Sequence, residues 1–245
     1  MMEIGPLLGG GRVADAYAYG EHVLKLYKDR HARSTVFAEA AILAIVADHP
    51  LPAPAVHAAG LYYGRWGLVM SRAPGAPLAD VVLADPTSAP EALEAMVAMH
   101  LAMHARTEVR LTPTKRRLQG RLAVEPRLDA GARQRRLADL AALPDGDRLC
   151  HGDFHPFNII GSPGAAMIVD WPDATSGPPA ADACRSYLLL YPHVPDFAEA
   201  YLARYAALSG IGAADILAWL PVLAASRLCE NVPEEIEALL PLANA

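Results

Sequence analysis

The sequence contains few cysteines, and none of them is spaced for metal binding. Only three occur in 245 residues, Cys150, Cys184 and Cys229, and no two of them form a Cys-x-x-Cys pair. Structural zinc sites and disulfide-stabilised secreted domains both need closely spaced cysteines. We therefore expect neither kind of cross-link, and a reducing, cytoplasmic location.

Positive charge is also scarce. The 21 Lys and Arg residues are outnumbered by 27 Asp and Glu residues, which gives a net charge of −6. Nucleic-acid-binding proteins usually carry the opposite balance, because they neutralise phosphates, so we expect no nucleic-acid partner. The apolar segment 216–226 contains Pro221 and is too short to span a bilayer. Residues 1–11 lack the basic and apolar parts of a signal peptide, and we expect no membrane association.

The first seventy residues predict strands with one helix. Alternating apolar residues indicate strands over residues 3–8, 12–19 and 21–27, and a helix rich in Ala and Leu follows over 32–47. Two more strands, 55–63 and 66–71, flank a turn at Gly64-Arg65. Pro and Gly in segment 73–77 mark a boundary. Beyond it we predict mostly helices, including one from Pro90 to Ala105 and two or three between residues 196 and 242.

The segment His151-Gly152-Asp153-Phe154-His155-Pro156-Phe157-Asn158 carries the strongest functional signal. An apolar run, Met167-Ile168-Val169, follows it and ends in Asp170-Trp171. The layout predicts a hairpin with Asn158 at the start of one strand, Asp170 at the end of its partner and a turn over 161–164. Two oxygen ligands then converge, as Mg²⁺ requires. Phosphoryl transfer needs such ligands together with a base that orients the acceptor hydroxyl.

A zinc site is the alternative for the same segment, with His151, Asp153 and His155 as ligands. Their close spacing on one segment is awkward for tetrahedral coordination. A second histidine pair, His100 and His104, has helical spacing but lacks the Glu of a His-Glu-x-x-His zinc motif. We expect that pair to pack, or to form local hydrogen bonds, in the core.

The motif resembles the aminoglycoside phosphotransferase family of small-molecule kinases, relatives of choline kinases and distant relatives of protein kinases. His-Gly-Asp stands where protein kinases have His-Arg-Asp, and Asp-Trp where they have Asp-Phe. The resemblance implies an α+β, protein-kinase-like fold with two lobes. Residues 1–72 would form a β-rich N-lobe with a five-stranded sheet and one helix, residues 73–77 a hinge, and residues 78–245 a mostly helical C-lobe.

The resemblance also assigns a nucleotide site to the N-lobe. The glycines Gly9, Gly10 and Gly11 match neither G-x-G-x-x-G nor the Walker loop, and three glycines between strands are often just a turn. Their position one strand before Lys25 favours a loop whose backbone approaches the phosphates of ATP. Lys25 would hold the α- and β-phosphates, with Glu39 as its carboxylate partner.

The hinge and the catalytic loop follow the same pattern. Met70 would limit the adenine pocket, and the Ser71 carbonyl and Ala73 N–H would bind the adenine edge. The catalytic residues expected are the base Asp153 and His151, which orients the loop. The Mg²⁺ ligands expected are Asn158 and Asp170. For the hinge residues Met70, Ser71 and Ala73, a buried edge strand that leaves the sheet is the alternative explanation. Asp182 would brace the catalytic loop.

These assignments predict an ATP- and Mg²⁺-dependent phosphotransferase acting on a hydroxyl of a small molecule, such as an aminoglycoside, an amino alcohol or a sugar. An atypical protein kinase is an alternative, although no Ala-Pro-Glu sequence follows Asp170. A regulator that binds nucleotide without catalysis is another. We expect a monomer or a weak homodimer.

The acceptor is open between two charge classes. Glutamates in the C-terminal segment, among them Glu230 and Glu234, would suit a cationic acceptor if they line its pocket, whereas a solvated helix face is the common alternative. The basic stretch 110–136 would suit an acidic acceptor instead.

Overall fold

A computed structural model describes residues 3–28, 32–162 and 164–244. The chain divides into two compact units. The first comprises Met1–Ala84 and Phe157–Pro172, and the second Asp85–Pro156 and Asp173–Ala245. Residues 157–172 join the first unit because their backbone bonds to it: Ile168 N–H donates to Pro52 O at 2.7 Å and Gly161 N–H to Ala76 O at 2.9 Å. The lobe boundaries at residues 72 and 77 stay a prediction.

The first unit contains an antiparallel five-stranded sheet, as predicted. Its spatial order is β1-β2-β3-β5-β4. The strands are β1 (Leu7–Gly10), β2 (Ala14–Tyr19), β3 (His22–Tyr27), β4 (Val56–Tyr62) and β5 (Arg65–Ser71). Two helices, α1 (Arg33–Val46) and α2 (Leu78–Ala84), and a short hairpin, β7 (Ile159–Ile160) and β8 (Met167–Ile168), complete the unit.

Two local predictions in this sheet are wrong by a few residues. The first strand lies later than expected, so Gly9 and Gly10 pair with Ala16 and Asp15 instead of forming a loop. A backbone ladder needs no side chain, so glycine does not prevent pairing. The β4–β5 turn is Tyr63-Gly64, both with positive φ (51° and 75°). Two-residue hairpins favour this geometry because it matches the twist of the strands.

Alternation in β3 separates the core from the functional face. Leu24 and Leu26 are buried and pack with Tyr19 and Val69. Lys25, between them, points to the opposite face because successive side chains in a strand alternate. The buried stripe of α1 contains one carboxylate, Glu39, among apolar residues at helical spacing, and the helix packs on β4 and β5. Strand and helix thus each present one charged side chain.

The second unit is mostly helical. Its helices are α3 (Ala89–His104), α4 (Thr114–Val124), α5 (Ala130–Ala142), α6 (Pro179–Leu190), α7 (Pro195–Ser209), α8 (Ala213–Leu217), α9 (Leu220–Leu228) and α10 (Ile236–Asn244). One antiparallel pair of short strands, β6 (Arg148–Cys150) and β9 (Thr175–Gly177), flanks the catalytic segment.

The C-terminal segment forms four α-helices where two or three were predicted. Pro221 does not break a helix but stands at the second residue of α9, where its missing N–H costs nothing. Among the described residues no single helix is long and apolar enough to cross a membrane. One pair, Pro195–Ser209 with Ala213–Leu228, reaches that length and hydropathy together but is bent by 119°.

Candidate active site

Lys25 and two carboxylates form a compact charged group in the first unit. The Lys25 Nζ lies 2.9 Å from Glu39 Oε1 and 2.7 Å from Asp170 Oδ1. Burial opposes the charge on Lys25, but Asp170 and Glu39 outweigh it, so the lysine pKa is raised above its ordinary value. The structure thus brings together three residues predicted from widely separated parts of the sequence.

Glu39 is held from two sides. It is only 2% exposed, and Tyr27 donates its hydroxyl hydrogen to Oε2 while Lys25 occupies Oε1. Burial raises the pKa of Glu39, and Lys25 partly offsets that effect. A buried carboxylate needs such partners because an unpaired buried charge is costly. Glu39 therefore fixes the lysine side chain in place.

Asp170 follows the β7–β8 hairpin, which is present as predicted. Ile159 pairs with Ile168, and Val169 N–H donates to Asn158 O at 2.9 Å, so Asn158 and Asp170 are neighbours across the hairpin. Asn158 directly precedes β7 instead of starting it, and Asp170 lies two residues beyond β8. The predicted turn 161–164 includes Pro163, which lies outside the described residues.

The backbone at Asp170 is unusual. Its φ is 64°, a left-handed conformation that Asp tolerates better than most residues. Trp171, fully buried, donates its indole N–H to Ile168 O at 2.8 Å and so fixes the chain beyond it. The Asp170 side chain is 47% exposed. Strained backbone of this kind concentrates at functional sites, where surrounding packing maintains it.

The residues around this hairpin fit a hard divalent cation. Mg²⁺ prefers carboxylate and amide oxygens and keeps several water ligands. Asp170 offers an accessible carboxylate, and Asn158, whose backbone carbonyl accepts from Val169 N–H, carries an amide oxygen. In the described residues, the one His, Cys, Asp and Glu group close enough to bind a metal is His100, His104 and Asp182. The hydrogen bonds of that group, given below, account for those atoms.

The other predicted nucleotide residues lie on the same sheet. Gly9 and Gly10 are exposed, and a Cβ at Gly9 would meet no atom within 4 Å. The Gly11 N–H donates to Ala14 O at 2.9 Å and closes the turn to β2. Met70 and Ser71 end β5, and Ala73 follows at a half-buried position. Their contacts with a nucleotide stay predictions.

The second unit holds the predicted catalytic loop, which follows β6. Asp182, in the first turn of α6, accepts the backbone N–H of His151 and of Gly152, each at 2.7 Å. The fully buried His151 accepts the Asp153 N–H on its Nδ1 at 3.2 Å. This bracing confirms the role expected for Asp182. It also occupies one of the two ring nitrogens of His151, Nδ1.

Two histidines and two tyrosines complete the bracing. Asp182 Oδ2 also accepts from His100 Nε2 and His104 Nε2, each at 3.1 Å. The Nδ1 atoms of these rings lie 2.6 Å from the hydroxyls of Tyr201 and Tyr205 respectively. The expectation that the histidines bond locally in the core is confirmed. Burial and the neighbouring His104 lower the pKa of His100 to about 3, so its ring is neutral at physiological pH.

Asp153 lies between a histidine and an arginine. His155 Nε2 is 3.5 Å from its Oδ2, and Arg185 Nη2 is 3.5 Å from its Oδ1. Burial raises the pKa of Asp153, but hydrogen bonding to His155 and the charge of Arg185 outweigh it, so the pKa falls below its ordinary value of 3.8. The carboxylate is therefore ionised at neutral pH. His155, to which we assigned no role, is one of its partners.

The acidic C-terminal segment differs from the free anionic surface considered above. Arg121 and Arg185 lie 3.0 and 2.7 Å from Glu230 Oε1, and Arg227 binds Oε2. These three guanidinium groups compensate the charge of Glu230, which disfavours a role in attracting a cation, and the role expected for it stays a prediction. Glu234 is exposed, and its role stays a prediction.

Sequence reasoning missed the arginines of this unit. Arg185 is 5% exposed, one turn after Asp182 in an otherwise apolar helix. A lone charge in such a helix is a signal, since buried charges are rare unless paired. Arg117 and Arg121 both bind Asp173 Oδ1, at 2.8 and 2.9 Å. Their spacing of four residues on α4 placed them on one face, but nothing in the sequence identified the partner.

Comparison with known proteins agrees with these features. The sequence model of the phosphotransferase enzyme family (APH) matches residues 7–220. No curated protein sequence matches the chain.

Solved structures share the fold. A thermostable variant of aminoglycoside phosphotransferase APH(4)-Ia, in ternary complex with ADP and hygromycin B, superposes with a TM-score of 0.72 at 15% identity, covering 99% of this chain and 92% of that one. Aminoglycoside-3'-phosphotransferase of type VIII gives 0.65 at 18% identity, covering 92% and 93%. Choline kinase LicA from Streptococcus pneumoniae gives 0.67 at 15% identity, covering 97% and 87%.

The matched residues include Lys25, Glu39 and Asp170 in one unit and Asp153 and Asp182 in the other. The predicted α+β, protein-kinase-like fold is confirmed by the structures that share it. The chain belongs to the phosphotransferase enzyme family.

Proposed function

We propose that the protein is a kinase that transfers the γ-phosphoryl group of ATP to a hydroxyl group of a small molecule, with Mg²⁺ as cofactor. The Lys25 Nζ, held between Glu39 Oε1 at 2.9 Å and Asp170 Oδ1 at 2.7 Å, carries this proposal. A lysine fixed by a buried carboxylate and placed beside an exposed one is the arrangement that phosphate binding next to a metal requires.

The first unit would bind the nucleotide. Lys25 donates to the α- and β-phosphates, and Glu39 keeps its ammonium group in position without ligand. Gly9 and Gly10 leave space above the sheet edge, because a Cβ at Gly9 would meet no atom within 4 Å and one at Gly10 would meet only Asp15 Oδ1, at 3.7 Å. The adenine edge is assigned to the backbone of Ser71 and Ala73, with Met70 at the end of the pocket.

Asn158 and Asp170 would hold Mg²⁺. When bound, the ion neutralises charge on the phosphates and orients the transferred group. The left-handed backbone at Asp170, fixed by the buried Trp171, keeps the carboxylate accessible at this place.

The second unit would bind the acceptor hydroxyl at Asp153. Since the pKa of Asp153 is below its ordinary value, the residue is a weak base. Its first task is therefore to accept a hydrogen bond and orient the hydroxyl oxygen towards the phosphoryl group. The proton transfers late, as in other kinases, where bond breaking leads. His151 and Asp182 maintain the loop geometry on which this orientation depends.

The test is phosphoryl transfer to a panel of aminoglycosides, amino alcohols, sugars and sugar acids, followed by phosphorus NMR of the product. We expect Asp153→Asn to lower kcat by about 10²–10⁴, because the amide cannot accept the proton. The Kd for ATP should change little. Asp196→Asn, an exposed residue on α7, is the matched control and should retain full activity.

A regulator without catalysis gives a different result. It would bind MgATP with wild-type affinity, yet form no phosphorylated product with any acceptor, and Asp153→Asn would change nothing. An equal loss of nucleotide affinity and kcat in Asp153→Asn would instead contradict the assignment of Asp153 to the acceptor.

A further inference from the structure

The second unit contains a cavity beside the proposed catalytic loop, lined by charged and apolar side chains. Its volume is about 40 Å³, and Gly152, Asp173, Arg117, Arg121, Arg185 and Ser226 are among the residues that line it. A water molecule needs at least roughly 10–15 Å³ on a comparable measure, so the cavity has room for one small polar group. Gly152 precedes Asp153, which places the cavity next to the proposed base.

Every carboxylate around this cavity is compensated. Asp173 Oδ1 accepts from Arg117 and Arg121, and Asp182 accepts from four donors. Glu230, behind the cavity wall, contacts Arg121 and Arg185. An incoming ammonium group would compete with these guanidinium groups for the same carboxylates.

Hydrogen-bond donors are left over, in contrast. A guanidinium group has five N–H donors. Arg121 uses two of its own, towards Glu230 and Asp173. Arg185, 5% exposed, uses Nε and Nη2 and makes no bond through Nη1 to any residue that the structure describes.

Ser226 gives an independent sign of a missing partner. The residue is 2% exposed, and within the described parts of the chain its buried Oγ has no hydrogen-bond partner. A buried hydroxyl without a partner is costly and is usually satisfied by water or a ligand. The charge balance agrees: burial and the neighbouring Arg121 lower the pKa of Arg117 despite Asp173, so the cavity favours added negative charge.

We propose that this cavity binds an anionic group, a carboxylate or a phosphate, carried by the molecule whose hydroxyl is phosphorylated. Arg121 and Arg185 would donate charged hydrogen bonds to it and Ser226 a neutral one. The acceptor class is then a hydroxy acid or a phosphorylated polyol, not a polycation. The assignment of this group to the acceptor depends on the proposed function, whereas binding of the anion itself does not.

Four ligands with the same three-carbon skeleton test the charge preference: glycerol, glycerate, glycerol 3-phosphate and 3-aminopropane-1,2-diol. Their Kd values would be measured by isothermal titration at constant ionic strength, with and without saturating Mg·ADP. We expect glycerate or glycerol 3-phosphate to bind at least about tenfold more tightly than the neutral and cationic members, because one charged hydrogen bond contributes about 1.5–3 kcal/mol. Comparison of the two anions distinguishes carboxylate from phosphate.

Variants of the cavity locate the binding. Arg121→Gln should weaken the preferred anion by about 10–100-fold. Arg116→Gln, an exposed arginine on the same helix, is the matched control and should change the Kd less than about twofold. Ser226→Ala should weaken the anion by about 2–10-fold while leaving the Tm unchanged, since the hydroxyl has no described protein partner. This variant decides the question if Arg121→Gln does not fold.

Two results would overturn the inference: tighter binding of the aminodiol than of both anions, or wild-type anion affinity in both cavity variants. Absence of Mg·ADP binding would contradict the proposed function instead. The titrations without nucleotide would still show whether the cavity binds an anion. Phosphorylation restricted to cationic acceptors would leave the kinase standing and remove the anionic acceptor.

Discussion

At the scale of single residues, Gly152 explains why the motif is His-Gly-Asp. Its φ is 81°, and a Cβ at this position would overlap the backbone carbonyl of Asp173. An arginine, as in the protein-kinase motif, has no place there. Glycine therefore does no chemistry in this loop but allows β6 and the segment after Asp170 to approach each other.

A pair of glycine substitutions separates the cost of a left-handed backbone from the cost of the overlap with Asp173. Gly210, the C-cap of α7, has nearly the same φ, 74°, but no atom within 4 Å of an added Cβ. We expect Gly210→Ala to lower the free energy of unfolding by about 1–2 kcal/mol, the cost of a left-handed conformation. Gly152→Ala should lose about 1–3 kcal/mol more through overpacking. Urea denaturation measures the free energy of unfolding of both variants. Equal losses would show that the backbone at Asp173 shifts to accommodate the added Cβ at no cost.

At the scale of secondary-structure elements, three helices position one loop. α3 supplies His100 and His104, α7 supplies Tyr201 and Tyr205, and α6 supplies the carboxylate between them. Both histidines and both tyrosines are four residues apart, so each pair lies on one helix face. Asp182 thereby attaches the loop after β6 to the helical core.

This arrangement predicts a pH dependence of stability. The folded protein holds His100 neutral down to a pKa of about 3, whereas the unfolded chain protonates it near 6.5. Below pH 6.5 the unfolded state therefore binds one more proton, and stability falls as the pH is lowered, by up to about 1.4 kcal/mol per pH unit. Asp182 contributes only below its ordinary pKa of 3.8, because its folded-state pKa is lower still.

The slope is measured from urea denaturation between pH 6.5 and 4. His100→Gln keeps a donor near the position of Nε2 but cannot be protonated. Its free energy of unfolding should therefore depend less steeply on pH than that of the wild type, by the equivalent of up to one proton taken up on unfolding. His193→Gln, an exposed residue, should keep the wild-type slope. An unchanged slope in His100→Gln would show that His100 is not the titrating group.

At the scale of the whole molecule, the sequence predicted what depends on local pattern. The five strands and α1 follow from alternation and helical spacing, and the spacing of Asp153, Asn158 and Asp170 predicted the hairpin that follows the proposed catalytic loop. Contacts between residues far apart in the chain could not be predicted from local sequence pattern. The sequence does not show that Arg121 and Arg185 both contact Glu230, because each of these residues lies more than forty positions from the others. The charge of a site depends on such pairs, so the acceptor class could not be predicted.

The division of the chain was also beyond local pattern. A boundary at the Pro-Gly segment 73–77 is a reasonable prediction from composition, yet the compact first unit extends to Ala84 and includes Phe157–Pro172. Backbone bonds from Gly161 to Ala76 and from Ile168 to Pro52 return the hairpin to it. Composition does not show which distant strand a short hairpin will join.

The discontinuous first unit predicts a specific footprint in hydrogen–deuterium exchange. Under the proposed function, Mg·ADP contacts Lys25 on β3 and Asp170 after β8, and the two side chains are 2.7 Å apart. Amides of residues 22–46 and of residues 157–172 should therefore become protected together, with the same dependence on ligand concentration. At 100 times the Kd, the ligand stabilises the folded state by about 2.7 kcal/mol, enough to slow exchange measurably.

Two lysine variants control the experiment. Lys25→Met should abolish protection in both segments, because the phosphates lose their cation. Lys28→Met, whose lysine is 48% exposed and pairs with Asp15, should retain it. Protection of residues 22–46 with no change in residues 157–172 would mean that the hairpin is not part of the nucleotide site. Asn158 and Asp170 would then lose their role as magnesium ligands, while Lys25 would keep its own.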